Sequence, residues 1–358
     1  MTTKPPRPAR SSGPKAAKAA KVATVTGPVT LEMVARSAGV SPSTVSRILN
    51  GTAVVSADKN KAVTDAIALL GFVPNPVARG LAGGRTLSVG VITQAIDSPF
   101  YGVALRGVED ELDPAGYSPL FVSGHWNATV EARCIEVLRS RRVDGIIVLT
   151  GRLPDAALKA CAKHLPVVVT GRDLKAPGLV SLNFDNCEGA RLATQHLLDL
   201  GHRHIAFIAG DPQHPDAVER QRGYQTALAQ AGVAFDPELV VPGEFHEVSG
   251  LLAVERLIET RRSFTAIFAA NDQMALGAAL ALNRRGLRVP DDVSLIGFDD
   301  LLTSLYTVPP LSTVHQPAYE LGRLAASAML QLLGGNKPAV ALPAPQLVVR
   351  ESTRRLRG

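Results

Sequence analysis

A chain of 358 residues, 46% hydrophobic and 20% charged, is long enough for two or three compact units and too long for one ordinary core. The formal charge of +6 is unevenly spread: residues 1–85 hold 12 Lys/Arg against three Asp/Glu, so a basic head precedes a slightly acidic body, the asymmetry expected when only the head meets a polyanion. Three scattered cysteines exclude a disulfide frame or zinc site and suit a reducing cytoplasm, no run of about 18 apolar residues is available to span a membrane, and the first 27 residues lack the apolar stretch of a secretory signal.

In chain order, residues 1–28 read as a disordered basic tail. Residues 29–74 then read as a helix-turn-helix unit. Thr30 caps a helix over 31–37 whose Leu31, Val34 and Ala35 share a face. Gly39 sits where the chain must turn, and Val40 plugs the corner. Ser41 caps a second helix with Pro42 at its first position and Val45, Ile48 and Leu49 as its buried stripe. Pro42, Ser43, Thr44, Ser46, Arg47 and Asn50 are left facing outward. A recognition helix reads bases mainly with its N-terminal residues, so Pro42, Ser43 and Arg47 are assigned to base edges. Thr44, Ser46 and Asn50 are assigned to phosphates. Ser56 is expected to cap a third helix ending at Gly71.

Residues 75–84, with Arg79 and Leu81, form a hinge too short to hold a helix alone in water. The residues leave two readings open: a flexible linker, or a helix ordered on DNA with Leu81 wedged into the minor groove. TLEMVARSAGVSPSTVSRILNG together with VPNPVARGLAGG resembles the head and hinge of the lactose/galactose-repressor (LacI) family of bacterial regulators. That resemblance implies the wedge reading for Leu81. It also places Pro42 and Ser43 where family members vary to choose operators.

From residue 85 onward, short apolar runs alternate with amphipathic stretches. Strands are predicted at 87–93, 118–123, 145–150, 166–171, 179–184, 204–210, 265–271 and 293–300. Helices are predicted near 101–114, 128–140, 186–200, 216–231, 247–260, 273–285 and 317–333. The alternation predicts an α/β body of two doubly wound parallel-sheet lobes. Ligands of such sheets sit beyond the carboxyl ends of the strands, which points to Asp97, Phe100, Tyr101, Arg172, Asn271 and Asp299, and to Arg220 on a following helix. Each residue taken singly is equally readable as a helix cap or loop turn; Asn186 and Asp272 are assigned as caps.

LGHRHIAFIAG, AIFAANDQMALGAALALNRRGLRVPDDVSLIGFDD and PPLSTVHQPAYELG are similar to the same family's effector domain, of periplasmic-binding-protein type I fold. By position, the resemblance implies effector contacts at Arg220, Asn271, Asp299 and Phe100-Tyr101, with Gln316 at a lobe crossover. It implies an N-lobe of about 86–184 and 316–345 and a C-lobe of about 185–315 and 346–356. Gly171 departs from an acidic contact of the family's namesake, and Arg172 is expected to take over that wall. The implied partners are double-stranded operator DNA, a small-molecule effector (most often a sugar in this family) and a second copy of the chain. No heptad repeat suggests a larger assembly.

No G-x-G-x-x-G, G-x-S-x-G or P-loop occurs, so neither an enzyme nor a cofactor is expected. His202 and His204 lack neighbouring ligands for a metal. The alternatives carried forward are a regulator answering to a purine or another metabolite, and a solute-binding protein.

Overall fold

The structure is a computed structural model describing residues 1, 29–49, 55–73 and 85–357. It divides into a head within residues 1–83 and a body within 84–358. The predicted basic tail, the hinge, Asn50, Arg79 and Leu81 lie outside the described residues.

The head contains helices α1 (Leu31–Ala38), α2 (Pro42–Leu49) and α3 (Ala57–Leu70). Thr30 accepts a hydrogen bond from Met33 N at α1's start, and Gly39 ends that helix in the left-handed region at φ 64°. Ser41 Oγ accepts from Thr44 N at 3.2 Å, fixing the start of α2. Val34, Ala35, Val45, Val63 and Ala66 form a small buried core. Ser56 holds the N-cap position of α3, but its hydroxyl makes no capping bond; its carbonyl starts the helix instead, accepting from Asn60 N at 3.1 Å.

The body holds a five-stranded parallel sheet ordered β2-β1-β3-β4-β5, built from β1 (Ser88–Thr93), β2 (Ser118–Ser123), β3 (Gly145–Val148), β4 (Val167–Thr170) and β5 (Leu179–Leu182). Alternate strand residues face opposite cores. Val89, Val91, Ile147 and Val168 face one, and Ile92, Ile146, Val148, Val167 and Val169 the other, so both faces are covered. A second parallel sheet, ordered β7-β6-β8-β9, contains β6 (Ile205–Ile208), β7 (Val240–Val241), β8 (Ala266–Ala269) and β9 (Ser294–Ile296). β10 (Thr313–His315) and β11 (Gln346–Val348) pair antiparallel.

Body helices are α4 (Pro99–Leu112), α5 (Ala128–Ser140), α6 (Asp155–Ala162), α7 (Asn186–Asp199), α8 (Pro215–Gln230), α9 (Glu247–Glu259), α10 (Asp272–Arg284) and α11 (Ala318–Leu333). α4 and α11 meet through glycines: a Cβ on Gly107 would lie 2.1 Å from Tyr319 O, and one on Gly322 1.8 Å from Ala104 O.

The sequence reading missed α6, β7, β10 and β11. The three strands are only two or three residues long and exist through pairing with distant segments, which no local pattern records. It also shifted two caps by one position. Asp185 accepts from Glu188 N and Asn271 from Met274 N, so they cap α7 and α10, not Asn186 and Asp272. Asp272 is buried and accepts from Leu301 N (2.8 Å), Ser304 Oγ (2.7 Å) and Thr313 Oγ1 (2.6 Å), tying three segments of the second lobe together.

Candidate functional site

On the head, α2 turns Pro42, Ser43 and Arg47 outward, with Thr44 and Ser46 half-buried beside them. Ser41 Oγ bonds the hydroxyls of Ser43 (2.9 Å) and Thr44 (2.8 Å), which orders the exposed N-terminal turn of the helix.

In the body, a cavity of about 500 Å³ lies at the carboxyl ends of both sheets' strands. Asp97, Phe100, Tyr101, Arg220, Asn271 and Asp299 all line it. Arg220, on α8 and only 4% exposed, anchors its floor. It donates through Nε to Asn186 Oδ1 (2.8 Å), through Nη1 to Ala270 O and Asp299 Oδ1 (3.3 Å), and through Nη2 to Gln316 Oε1 (2.7 Å). Its guanidinium lies 3.8 Å from the Phe298 ring centroid, so the charge is held on one face by an aromatic ring and at its edges by acceptors. Gln316 therefore stands behind the cavity wall, with Arg220 between. Asn271 spends its Oδ1 on capping α10 and donates through Nδ2 to Phe245 O (3.0 Å), so it positions Phe245 as well as lining the cavity.

Arg172 does not reach the cavity. Gly171, at φ 70°, turns the chain after β4, and the guanidinium donates to the carbonyls of Gly151 and Leu153 and pairs with Asp155 at 3.1 Å. The wall beside Gly171 is instead approached by Asp216, whose Oδ1 would lie 3.4 Å from a Cβ placed on that glycine.

Trp126, His214, Asp216 and Phe245 are lining residues absent from the sequence reading. Trp126 meets His214 at a 46° tilt with 4.0 Å between ring centroids, and His214 stands 5.0 Å from Phe245, so an aromatic row bridges the lobes. Trp126 is placed by buried Gln94, which accepts from its backbone N–H (2.9 Å) and donates to Thr150 O (2.8 Å). Nearby, Arg152 after β3 pairs with Asp211 after β6. A signal was available in the rule already applied: Trp126, His214 and Phe245 lie in the loops that follow β2, β6 and β7, and Asp216 stands at the start of α8 after the β6 loop. β7, which delivers Phe245, was simply too short to be seen.

The backbone around the cavity is strained. His125, Trp126, Thr150, Phe245, Asp299 and Asp300 all have positive φ, and all follow the carboxyl ends of strands. Side-chain-bearing residues are held there against a steric cost, a pattern that concentrates at binding sites.

Electrostatics set the cavity apart from the surface. Burial pushes the Asp299 carboxyl up to about 8, outweighing the opposing pull of Arg220; neighbouring Asp272 and Asp216 push the same way. Burial also raises Asp216, and it raises the Tyr101 hydroxyl well above its usual range. Burial, reinforced by the charges of Arg220 and Arg152, lowers His214 to about 3. Its Nδ1 accepts from Asp216 N at 3.2 Å, consistent with a neutral ring. Among the described residues no cluster of three or more His, Cys, Asp or Glu could hold a metal ion, and no helix is long and apolar enough to cross a membrane.

Residues 30–75 match the family described as bacterial regulatory proteins, lacI family, and residues 194–353 match the periplasmic binding protein-like domain. The chain is 34% identical to the HTH-type transcriptional repressor PurR of Haemophilus influenzae, covering 91% of this chain and 98% of that protein. It is 36% identical to catabolite control protein A of Priestia megaterium over 87% and 94% of the two chains. Among solved structures, the lac repressor dimer bound to operator and the anti-inducer ONPF superposes with a TM-score of 0.83 at 31% identity, over 92% of this chain and all of that one. The transcriptional regulator CelR–cellobiose complex superposes with a TM-score of 0.68 at 35% identity, over 90% and 99%. With a helix-turn-helix head and an effector-type body both matched, the chain belongs to the lacI family of bacterial regulatory proteins and is a DNA-binding transcriptional regulator.

Proposed function

We propose that this regulator is a homodimeric repressor whose operator affinity is set by a small molecule held between the lobes of the body. The observation that carries this reading is the cavity itself: a buried Arg220–Asp299 network and an aromatic row enclose about 500 Å³ in a chain that also bears a DNA-reading helix. Pro42, Ser43 and Arg47 contact base edges, and Thr44, Ser46 and Asn50 contact phosphates. Arg79 and Leu81 belong to a hinge that orders in the minor groove. Asp97, Phe100, Tyr101, Arg220, Asn271 and Asp299 contact the effector, while Gln316 holds Arg220 in place. A carbohydrate-like effector is supported by the likeness to the CelR–cellobiose complex.

Self-association is supported by a separate apolar groove of about 430 Å³ bordered by Leu280 and by the fully exposed Val308. The effector acts only through its different affinities for the operator-competent and incompetent states.

The test is operator binding by the full chain in titrated salt, with and without candidate effectors, alongside sedimentation. Specific affinity well above nonspecific affinity, altered by a ligand that Arg220→Ala no longer answers to, is the expected result. Equal specific and nonspecific affinities would sink the repressor reading. Leu81→Ala should lose specific affinity and DNA bending while keeping nonspecific binding.

A further inference from the structure

Five carboxylates border the cavity: Asp216 and Asp299 within it, and the more exposed Asp97, Glu244 and Glu247 around them. Against them stand His246, which pairs with Glu244 at 3.1 Å, and the guanidinium of Arg220, whose three nitrogens are already committed to Asn186, Ala270, Asp299 and Gln316. His214, the ring nearest to Asp216, is kept neutral by burial. The protein therefore brings no uncommitted positive side chain to this lining among the described residues.

The two inner carboxylates are incompletely bonded. The Asp299 side chain is 6% exposed; its Oδ1 meets Arg220, and its Oδ2 has no hydrogen-bond partner among the described residues. Asp216, 14% exposed, has a partner for neither oxygen, and the nearest basic atom is His214 Nδ1 at 3.9 Å. Asp216 is close enough to Asp299 for its charge to be felt there. None of these oxygens is fully sealed off, so each faces the cavity and is open to a donor on a ligand. Trp126, Tyr101, Phe100 and Phe245 line the cavity with them and add aromatic surface on which a ring can pack.

We infer that the effector carries a protonated amine seated against Asp216, and that its class is an amino sugar or a related hydroxylated amine. This rests on the cavity being the effector site. A neutral sugar would donate hydroxyls to the same oxygens but leave an ionised Asp216 without a countercharge, since Asp299 already has Arg220 beside it. An ammonium donates only, which matches the two acceptor oxygens of Asp216, and its charge is met by a carboxylate whose desolvation was already borne on folding. Asp216 also fills the wall beside Gly171, so the acidic contact comes from the second lobe, the lobe that holds Asp299.

Trp126 is the chain's one tryptophan, and it lies in the cavity, so its emission reports binding without a label. The experiment titrates the full-length protein at pH 6.5 with D-glucosamine, D-galactosamine and D-mannosamine, each beside its N-acetyl derivative. The amine of at least one pair is expected to bind on the order of 10- to 100-fold more tightly than its neutral partner, the range for charge-assisted hydrogen bonds. Asp216→Asn should abolish that preference and Asp216→Glu should keep it, with helix content by circular dichroism unchanged in both. Equal or tighter binding of the neutral partners, no response to any amine, or a preference that survives Asp216→Asn overturns the assignment. If neutral sugars bind and alter operator affinity, the charge assignment fails and the cavity reading stands. If a metabolite alters operator affinity in Arg220→Ala as in wild type and leaves Trp126 unperturbed, the cavity reading itself fails.

Discussion

The two walls of the cavity are built on different principles. The wall from the second lobe is polar and cross-linked: Arg220, Asn271 and Asp299 are each at most 7% exposed, Arg220 donates to Asp299, and Asn271 donates to Phe245 O. The wall from the first lobe is aromatic: Phe100, Tyr101 and Trp126 touch edge to face or at a tilt, with centroids 5.4 and 6.2 Å apart. Hydrogen bonds fix direction and distance, whereas aromatic faces accept a range of ring positions. The comparison teaches that, on the proposed reading, recognition and closure are divided: the polar wall selects the ligand, and the aromatic wall closes over whatever the polar wall has selected.

The comparison can be broken most severely at Arg220. Arg220→Ala removes the donors of four acceptors in a buried site, and a loss of about 3–5 kcal/mol in denaturant unfolding is expected, together with loss of effector response. Stability unchanged by this substitution would contradict a cross-linked polar wall. Next comes Asp299. Its carboxyl is raised from 3.8 to about 8 in the folded chain, so its contribution to stability is fully present below about pH 4 and is lost as pH rises through 8. Wild type should therefore lose stability relative to Asp299→Asn across that interval, measured as the difference between their thermal midpoints at each pH. A constant difference would mean that the carboxyl is not held protonated by burial. Trp126→Ala should weaken ligand binding by about 1 kcal/mol through the lost aromatic contact, with little change in which ligand is preferred. A change of preference would transfer part of the selection to the aromatic wall. The smallest effect belongs to Asp211→Asn, which breaks the half-exposed pair with Arg152 across the lobes. Less than about 1 kcal/mol of stability is expected to be lost, with a faster ligand off-rate by stopped flow.

The polar wall was the more legible of the two in the sequence. Asp299 follows a long apolar run and Asn271 another, so a rule about strand ends finds them. Arg220 was found at the start of a helix after a predicted strand. The aromatic row was half-hidden. Phe100 and Tyr101 begin a helix directly after β1, but Trp126 depends on the unusual backbone of His125 and Trp126 and on Gln94, which is 32 residues away and shares neither motif nor period with it. Phe245 depends on a two-residue strand that exists only because Phe207 and Ile208 pair with it. Arg172 failed for a related reason: the sequence gives its place beyond β4, but the positive φ of Gly171 decides which way the chain leaves the strand. The head was legible almost throughout, because its caps, turn glycine and apolar stripes are all local. Ser56 was the exception, holding the right position without the expected bond.

The glycine contact between α4 and α11 has a mechanical consequence. α4 begins with Phe100 and Tyr101, and α11 begins two residues after Gln316, the partner of Arg220. At Gly107 and Gly322 the two helices touch backbone to backbone, with no side chain between them to flex, and Tyr319 is further tied to Asp110 by a hydrogen bond of 2.9 Å. A push on the aromatic wall and a pull on the Arg220–Gln316 bond are thus loads on one stiff beam. Such a beam rotates whole instead of absorbing the load locally, so small displacements at the ligand arrive undamped at its far end.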